Sequence, residues 1–287
     1  MLKHVATSLT LCLLLSSAAL AANPWADAVV SYDAGPDGVY YNNPNTVLGQ
    51  PSRTTVGYEM DWVTTYEESV RITTPAYQDY TSGGQTVLQI GTGGHLVVRF
   101  DEAVANEAAN PFGVDLIVFT TLGLFSSDWP DNKIIADPIV ATGGTVGTIR
   151  VSQDGTKWYT ATGLGTSFPM QAFQGDAWDA FKTGATPSDY TRPVNPSLTL
   201  DDLAGLTIAE ALALYDGSGG GLGVDLSSLL DAEGHAASLD WIQYVKIDGV
   251  TSAIDGFADV SAVPEPATLG LLGVGLAAML RRRRAAQ

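Results

Sequence analysis

Short apolar runs alternate with polar, glycine-rich breaks along most of the chain, and this period-two texture predicts strands more than helices. In HLVVRF (residues 95–100), Leu96, Val98 and Phe100 fall on one face, Val97 and Arg99 on the other. The preceding VLQIGTGG reads as a strand closed by a glycine turn, so the spacing predicts a hairpin over residues 87–100. GVDLIVFTT is apolar without alternation, as suits a strand covered on both faces. GTIRVSQDGTKWYTAT predicts a second hairpin, with Ile149 and Val151 inward, a turn at Asp154-Gly155 and Trp158 on the return strand. WIQYVKIDGV places Trp241, Gln243, Val245 and Ile247 on one face and ends in another Asp-Gly turn.

Two stretches depart from this pattern. MQAFQGDAWDAF (residues 170–181) is compatible with a short helix, and Ile208, Leu212 and Tyr215 recur at helical spacing, with Gly217 placed to end that helix. The expected fold is therefore mainly β: a β-sandwich or jelly roll over residues 22–262, with a helix-and-loop insertion at about 163–223.

Both ends of the chain depart from it more sharply. Lys3 and His4 precede the apolar run Leu9 to Leu15, and Ala19-Leu20-Ala21 has the small-x-small form of a cleavage site. Residues 1–21 are expected to form an export-signal helix that is removed after Ala21. Cys12, the one cysteine, lies inside that segment, so the mature chain would hold no thiol for disulfides, thiolate metal sites or covalent catalysis.

Residues 263–287 read VPEPATLGLLGVGLAAMLRRRRAAQ. The 14 apolar residues 267–280 would reach only about 21 Å as a helix, against a hydrocarbon core of roughly 30 Å. Arg281, Arg282, Arg283 and Arg284 each cost about 2.5–3.5 kcal/mol at mid-bilayer, enough together to arrest translocation. Pro264 and Pro266 push their preceding residues, Val263 and Glu265, toward extended geometry that a protease can hold. Gly270, Gly273 and Ala277 give the expected single membrane helix a small-residue stripe. The Pro-Glu-Pro, short apolar run and arginine cluster resemble the PEP-CTERM sorting signal of bacterial exported proteins. The resemblance implies recognition by an exosortase after passage through the export machinery. The precursor would be held transiently in the inner membrane, then trimmed and delivered to the cell surface or extracellular matrix.

The 287-residue chain has 14 basic and 31 acidic residues and a net charge of -17. Five of the basic residues but only one acid, Glu265, lie in the two end segments, leaving the body near -21. Such a surface repels phosphate backbones, so nucleic acid is not an expected partner.

VLQIGTGGHLVVRFDEAV, FGVDLIVFTT, VSQDGTKWY, LTIAEALALYDGSGGGLGVDL and IQYVKIDGV occur in an order that resembles bacterial cell-surface proteins with jelly-roll domains of galactose-binding and discoidin-like style. The likeness implies a fold more than an activity. At its last strand the chain has DGFADV, with Ala258 where that group more often has an acidic alternation such as GFDLD.

Catalytic signals are sparse. There is no Gly-x-Ser-x-Gly elbow, and His95 and His235 lack triad context. DGSGGGLG follows a helix instead of opening one, so it reads as a cap and loop. No cofactor is expected apart from a structural calcium, for which Asp115, Asp255 and Asp259 are the candidates. Tyr40, Tyr41, Trp62 and Tyr66 lie in loop-rich stretches and could form a stacking platform for extracellular polysaccharide. These readings converge on a non-enzymatic exported surface protein whose body serves binding or adhesion. Two alternatives stay open: a secreted polysaccharide hydrolase using a carboxylate pair, and a purely structural envelope component.

Overall fold

A computed structural model describes residues 23–51, 55–59, 62–66, 84–124, 126–127, 133–134, 141–142, 146–170, 173–174, 186–249 and 253–260. The expected signal helix and membrane helix both lie outside these residues. Among the described residues, no helix is long and apolar enough to cross a membrane.

The body is mainly β, built from two antiparallel sheets. Eleven strands form them: β1 (Ala28–Asp33), β2 (Leu88–Gln89), β3 (His95–Ala105), β4 (Leu116–Thr120), β5 (Thr148–Ser152), β6 (Tyr159–Ala161), β7 (Leu222–Val224), β8 (Leu229–Leu230), β9 (Ala236–Ala237), β10 (Trp241–Asp248) and β11 (Ala253–Asp259). The seven-stranded sheet runs β1-β3-β10-β5-β6-β8-β9, and the four-stranded sheet runs β7-β4-β11-β2. They close on one core, with Leu96, Val98, Phe100, Val151, Val245 and Ile247 from the larger sheet meeting Leu88, Leu116, Val118, Ile254 and Phe257 from the smaller. Each fully buried side chain of this size contributes about 1.5–3 kcal/mol of transfer free energy.

LIVFT lacks alternation because β4 is central and covered twice. Leu116 and Val118 face the shared core, while Ile117 and Phe119 face a second cluster with Val114, Met170, Tyr190, Ala258 and Val260. The hairpin β5–β6 is present: Ile149 and Val151 are buried, and Asp154 accepts the N–H groups of Thr156 and Lys157 to form a turn through Gly155, at φ +74°. The return strand begins at Tyr159, one residue after Trp158.

Helix α1 (Ile208–Tyr215) also matches expectation. Thr207 and Glu210 form a capping box at its start, and Asp216 in left-handed geometry followed by Gly217 ends it. Its Ala211, Leu212 and Tyr215 pack with Phe168, Val194 and Leu203 in a satellite core. The hydroxyl of buried Tyr215 donates to the Pro169 carbonyl at 2.8 Å.

Three local expectations are corrected. The hairpin over residues 87–100 does not form: β2 pairs with β11 in the smaller sheet, while β3 already has β1 and β10 on its two edges. In β10 a bulge between Ile242 and Tyr244 inserts Gln243 and reverses the alternation. Ile242, Val245 and Ile247 consequently point inward, and Trp241 is exposed. Phe173–Gln174, expected within a helix, pairs instead with Thr186–Pro187 as a short strand. At the far boundary of the expected insertion, Leu222 and Gly223 belong to β7 and hydrogen-bond along β4.

Candidate functional site

The last described strand, β11, ends at Asp259, and the last described residue, Val260, lies at one end of the body. Several segments meet there. Pro24 accepts the Asp259 N–H at 2.7 Å, and the Val260 N–H donates to the Asp115 carbonyl at 2.9 Å. The loop of residues 106–114 crosses this end from β3 to β4, and the turn after β7 closes beside it.

Asp115 fastens these pieces. It has no accessible surface, and both carboxylate oxygens are occupied by donors. Oδ1 accepts from the Glu107 N–H at 3.2 Å and the Asn110 Nδ2 at 2.8 Å, and Oδ2 accepts from the Leu226 N–H at 2.9 Å. Burial pushes its carboxyl above the ordinary range, and these hydrogen bonds pull back toward the charged form. Asn110 is buried as well, and its Oδ1 finds no hydrogen-bond partner among the described residues.

Asp259 sits in register with Leu116, beside Asp115. Burial, with further repulsion from Glu107, Asp115 and Glu102, raises its pKa to about 7. Around it Glu102, Glu107 and Asp240 are exposed and Asp225 is partly so. Among the described residues, no ion pair neutralises any of these acids. Two large apolar side chains are displayed at the same end: Phe112 (58% exposed) on the crossing loop, and Trp241 (38%) opposite Ala105. Phe112 holds φ +61°, a left-handed conformation disfavoured for an aromatic residue.

Of the three proposed calcium ligands, the structure brings Asp115 and Asp259 together. Asp255 lies four residues back along β11, about 13 Å of strand from Asp259. Among the described residues, no group of three or more acidic, His or Cys side chains is arranged to hold a metal. Sequence reasoning missed the part Asp115 plays. The available signal was its place after NPFGV, where a buried acid at a strand start can collect the N–H groups of the preceding turn.

The opposite end has different chemistry. Ala253, at the start of β11, pairs with Gln89, six residues or about 20 Å from Asp259. Gln89 accepts the Tyr41 N–H through Oε1 at 3.3 Å. Gln85 Oε1 accepts the N–H groups of Asn42 (3.1 Å) and Asn43 (3.0 Å), while its Nε2 donates to the Tyr40 carbonyl at 3.0 Å. This pinned loop displays Tyr40, 73% exposed, with its ring edge-on to Tyr41 at 4.9 Å. Asn42, Asn43 and Asn45 are exposed beside it. Trp62 and Tyr66 lie on the second strand of a separate pair, Thr55–Glu59 with Trp62–Tyr66, and their side chains are outside the described residues. His95 contacts Ser31 Oγ at 3.1 Å, and His235 pairs with Asp231 at 3.4 Å.

The sequence that follows Val260 bears on both ends. Residues 262–284 match the PEP-CTERM protein-sorting motif. The motif carries Pro264, Glu265, Pro266 and the four arginines, and it marks an exported protein that an exosortase processes. Such a protein is anchored transiently in the membrane and then released to the cell surface. No curated protein matches the chain. Val260, the last described residue before the PEP-CTERM motif, therefore lies at the acidic end of the body, about 20 Å along β11 from the tyrosine loop.

Proposed function

We propose that this is a non-enzymatic surface or matrix protein whose body binds extracellular carbohydrate at the end away from its PEP-CTERM tail. One observation carries the reading: Tyr40 stands exposed on a loop fixed by Gln85 and Gln89, flanked by exposed asparagine side chains. An aromatic face stacks on the apolar face of a pyranose, and amides supply both donors and acceptors for sugar hydroxyls. Two side-chain amides hold the loop backbone, so Tyr40 is presented with little ordering cost on binding. We take the two sheets as a jelly roll of galactose-binding or discoidin-like style.

A carboxylate-pair hydrolase would need two acids about 5–10 Å apart, both open to the sugar. Asp115 and Asp259 are neighbours, but Asp115 has no accessible surface, which favours the binding reading.

The test is retention of the trimmed body on a panel of neutral and acidic polysaccharides, beside Tyr40→Ala. Retention of the wild type and a several-fold loss in the variant support the reading. Equal behaviour of the two proteins on every polysaccharide would overturn it.

A further inference from the structure

The acidic end of the body lies within a few residues of the segment that the exosortase must engage. The Val260 N–H is fixed to the Asp115 carbonyl, and only Ser261, Ala262 and Val263 separate Val260 from Pro264. Four Cα–Cα steps reach at most about 14 Å even when fully extended. The apolar run starts at Ala267, so the fold is also held close to the bilayer until the tail is removed. A membrane protease working on this segment cannot avoid the end carrying Phe112 and Trp241.

We propose that this end is a docking surface for the exosortase, with Phe112 and Trp241 as apolar contacts and Glu102, Glu107 and Asp240 as acidic contacts around them. The inference rests on the sorting motif and adds that the folded body, as well as the tail, is part of the substrate. The partner it fits is an outward-facing protein surface with basic and apolar side chains. Bare lipid fits less well, because anionic headgroups repel unpaired carboxylates. The exposed acids would speed encounter with a basic surface, and the two aromatic residues would slow release. Phe112 is displayed at a backbone conformation that an aromatic residue adopts only at a cost, as expected of a side chain kept outward for contact.

The experiment follows tail removal from the full-length chain in cells by pulse-chase and intact mass. Three variants are compared with the wild type: Phe112→Ser with Trp241→Ser; Glu102→Lys with Glu107→Lys and Asp240→Lys; and an insertion of twelve Gly/Ser residues between Val260 and Ser261. The insertion leaves the fold intact and frees the tail from the body. Docking predicts processing about tenfold slower in each. If the tail were the whole substrate, the insertion would be trimmed as fast as wild type or faster, and that result would overturn the proposal. Wild-type rates in both surface variants would also overturn it. A wild-type chain that keeps its tail at the surface would instead sink the sorting reading beneath it. Thermal melts of the variants separate slow docking from failed folding, and slow processing of the folded insertion variant supports docking even where a surface variant melts early.

Discussion

The two ends of this body are held together by different means, and they display different chemistry. At the tail end a single buried carboxylate, Asp115, gathers N–H groups from Glu107, Asn110 and Leu226. The surrounding acids are left unneutralised among the described residues. At the far end the chain closes by backbone contact. Gly91 donates to Ala34 at 2.9 Å and Gly249 donates to Gly94 at 3.0 Å, while Asp248 is paired by both Arg150 and Lys246. An end displaying amides and a tyrosine suits an uncharged ligand. An end with surplus negative charge suits a basic one. The difference in exposed chemistry between the two ends fits the two proposed roles, carbohydrate binding at one and docking for processing at the other.

The largest effect expected from breaking this contrast comes from Asp115→Ala. Three N–H donors lose a charged acceptor inside the fold, at roughly 1.5–3 kcal/mol for a hydrogen bond to a charged group. The losses are not additive, and a total near 3–5 kcal/mol is expected, read as a lower urea midpoint with an unchanged slope. Asp115→Asn keeps one acceptor oxygen and should fall between.

Its counterpart at the far end is Gly94→Ala. A Cβ there would lie 2.5 Å from the Asp33 carbonyl oxygen and 2.8 Å from the Gly35 nitrogen. Both are backbone atoms, so the strand ends must move, at about 2 kcal/mol. If Gly94→Ala proved more damaging than Asp115→Ala, the carboxylate would not be the stronger fastening.

The sequence discloses these two ends unequally. The apolar run of β4, the Asp154-Gly155 turn and the helical spacing that ends at Gly217 are local signals, and each is where the pattern places it. The bulge at Gln243 is invisible to alternation, because one inserted residue reverses the faces without changing composition. The pairing of Leu88–Gln89 with β11 depends on residues more than 160 positions away, which no local window reaches. Tyr40 was legible as a loop aromatic, but Phe112 and Trp241 were not. Their exposure follows from a left-handed backbone and a shifted register, both products of the assembled fold. The acidity of Asp115 is visible in the sequence, and the amide groups that fill its oxygens are not.

A smaller effect sharpens the electrostatic side of the comparison. The Asp259 carboxyl titrates at about 7 in the folded state, well above an unfolded aspartate near 4. Between those values the folded chain binds more protons than the unfolded one. The protonated group's stabilisation is fully present below about pH 4 and is lost as pH rises through 7. Asp259→Asn removes the titration. Its stability relative to wild type should rise by about 2–3 kcal/mol between pH 5 and pH 8, measured by denaturant midpoints across that range. Parallel pH curves would mean that neither burial nor repulsion from Glu107, Asp115 and Glu102 raises the Asp259 carboxyl in solution.

The smallest stability change is expected where the binding change should be greatest. Tyr40 is largely exposed, its backbone is held by Gln85, and its ring meets Tyr41 only edge-on. Removing the ring in Tyr40→Ala therefore takes little from the core, and the melting midpoint should shift by no more than about 0.5 kcal/mol of stability. Gln85→Ala is the informative partner, because it leaves the ring and frees the loop. Three hydrogen bonds to Tyr40, Asn42 and Asn43 are lost, at about 1 kcal/mol net. If fixing the loop is what makes the tyrosine useful, Gln85→Ala should weaken polysaccharide retention even though every contact group remains. A loss confined to Tyr40→Ala would show that the ring suffices and that the loop need not be held.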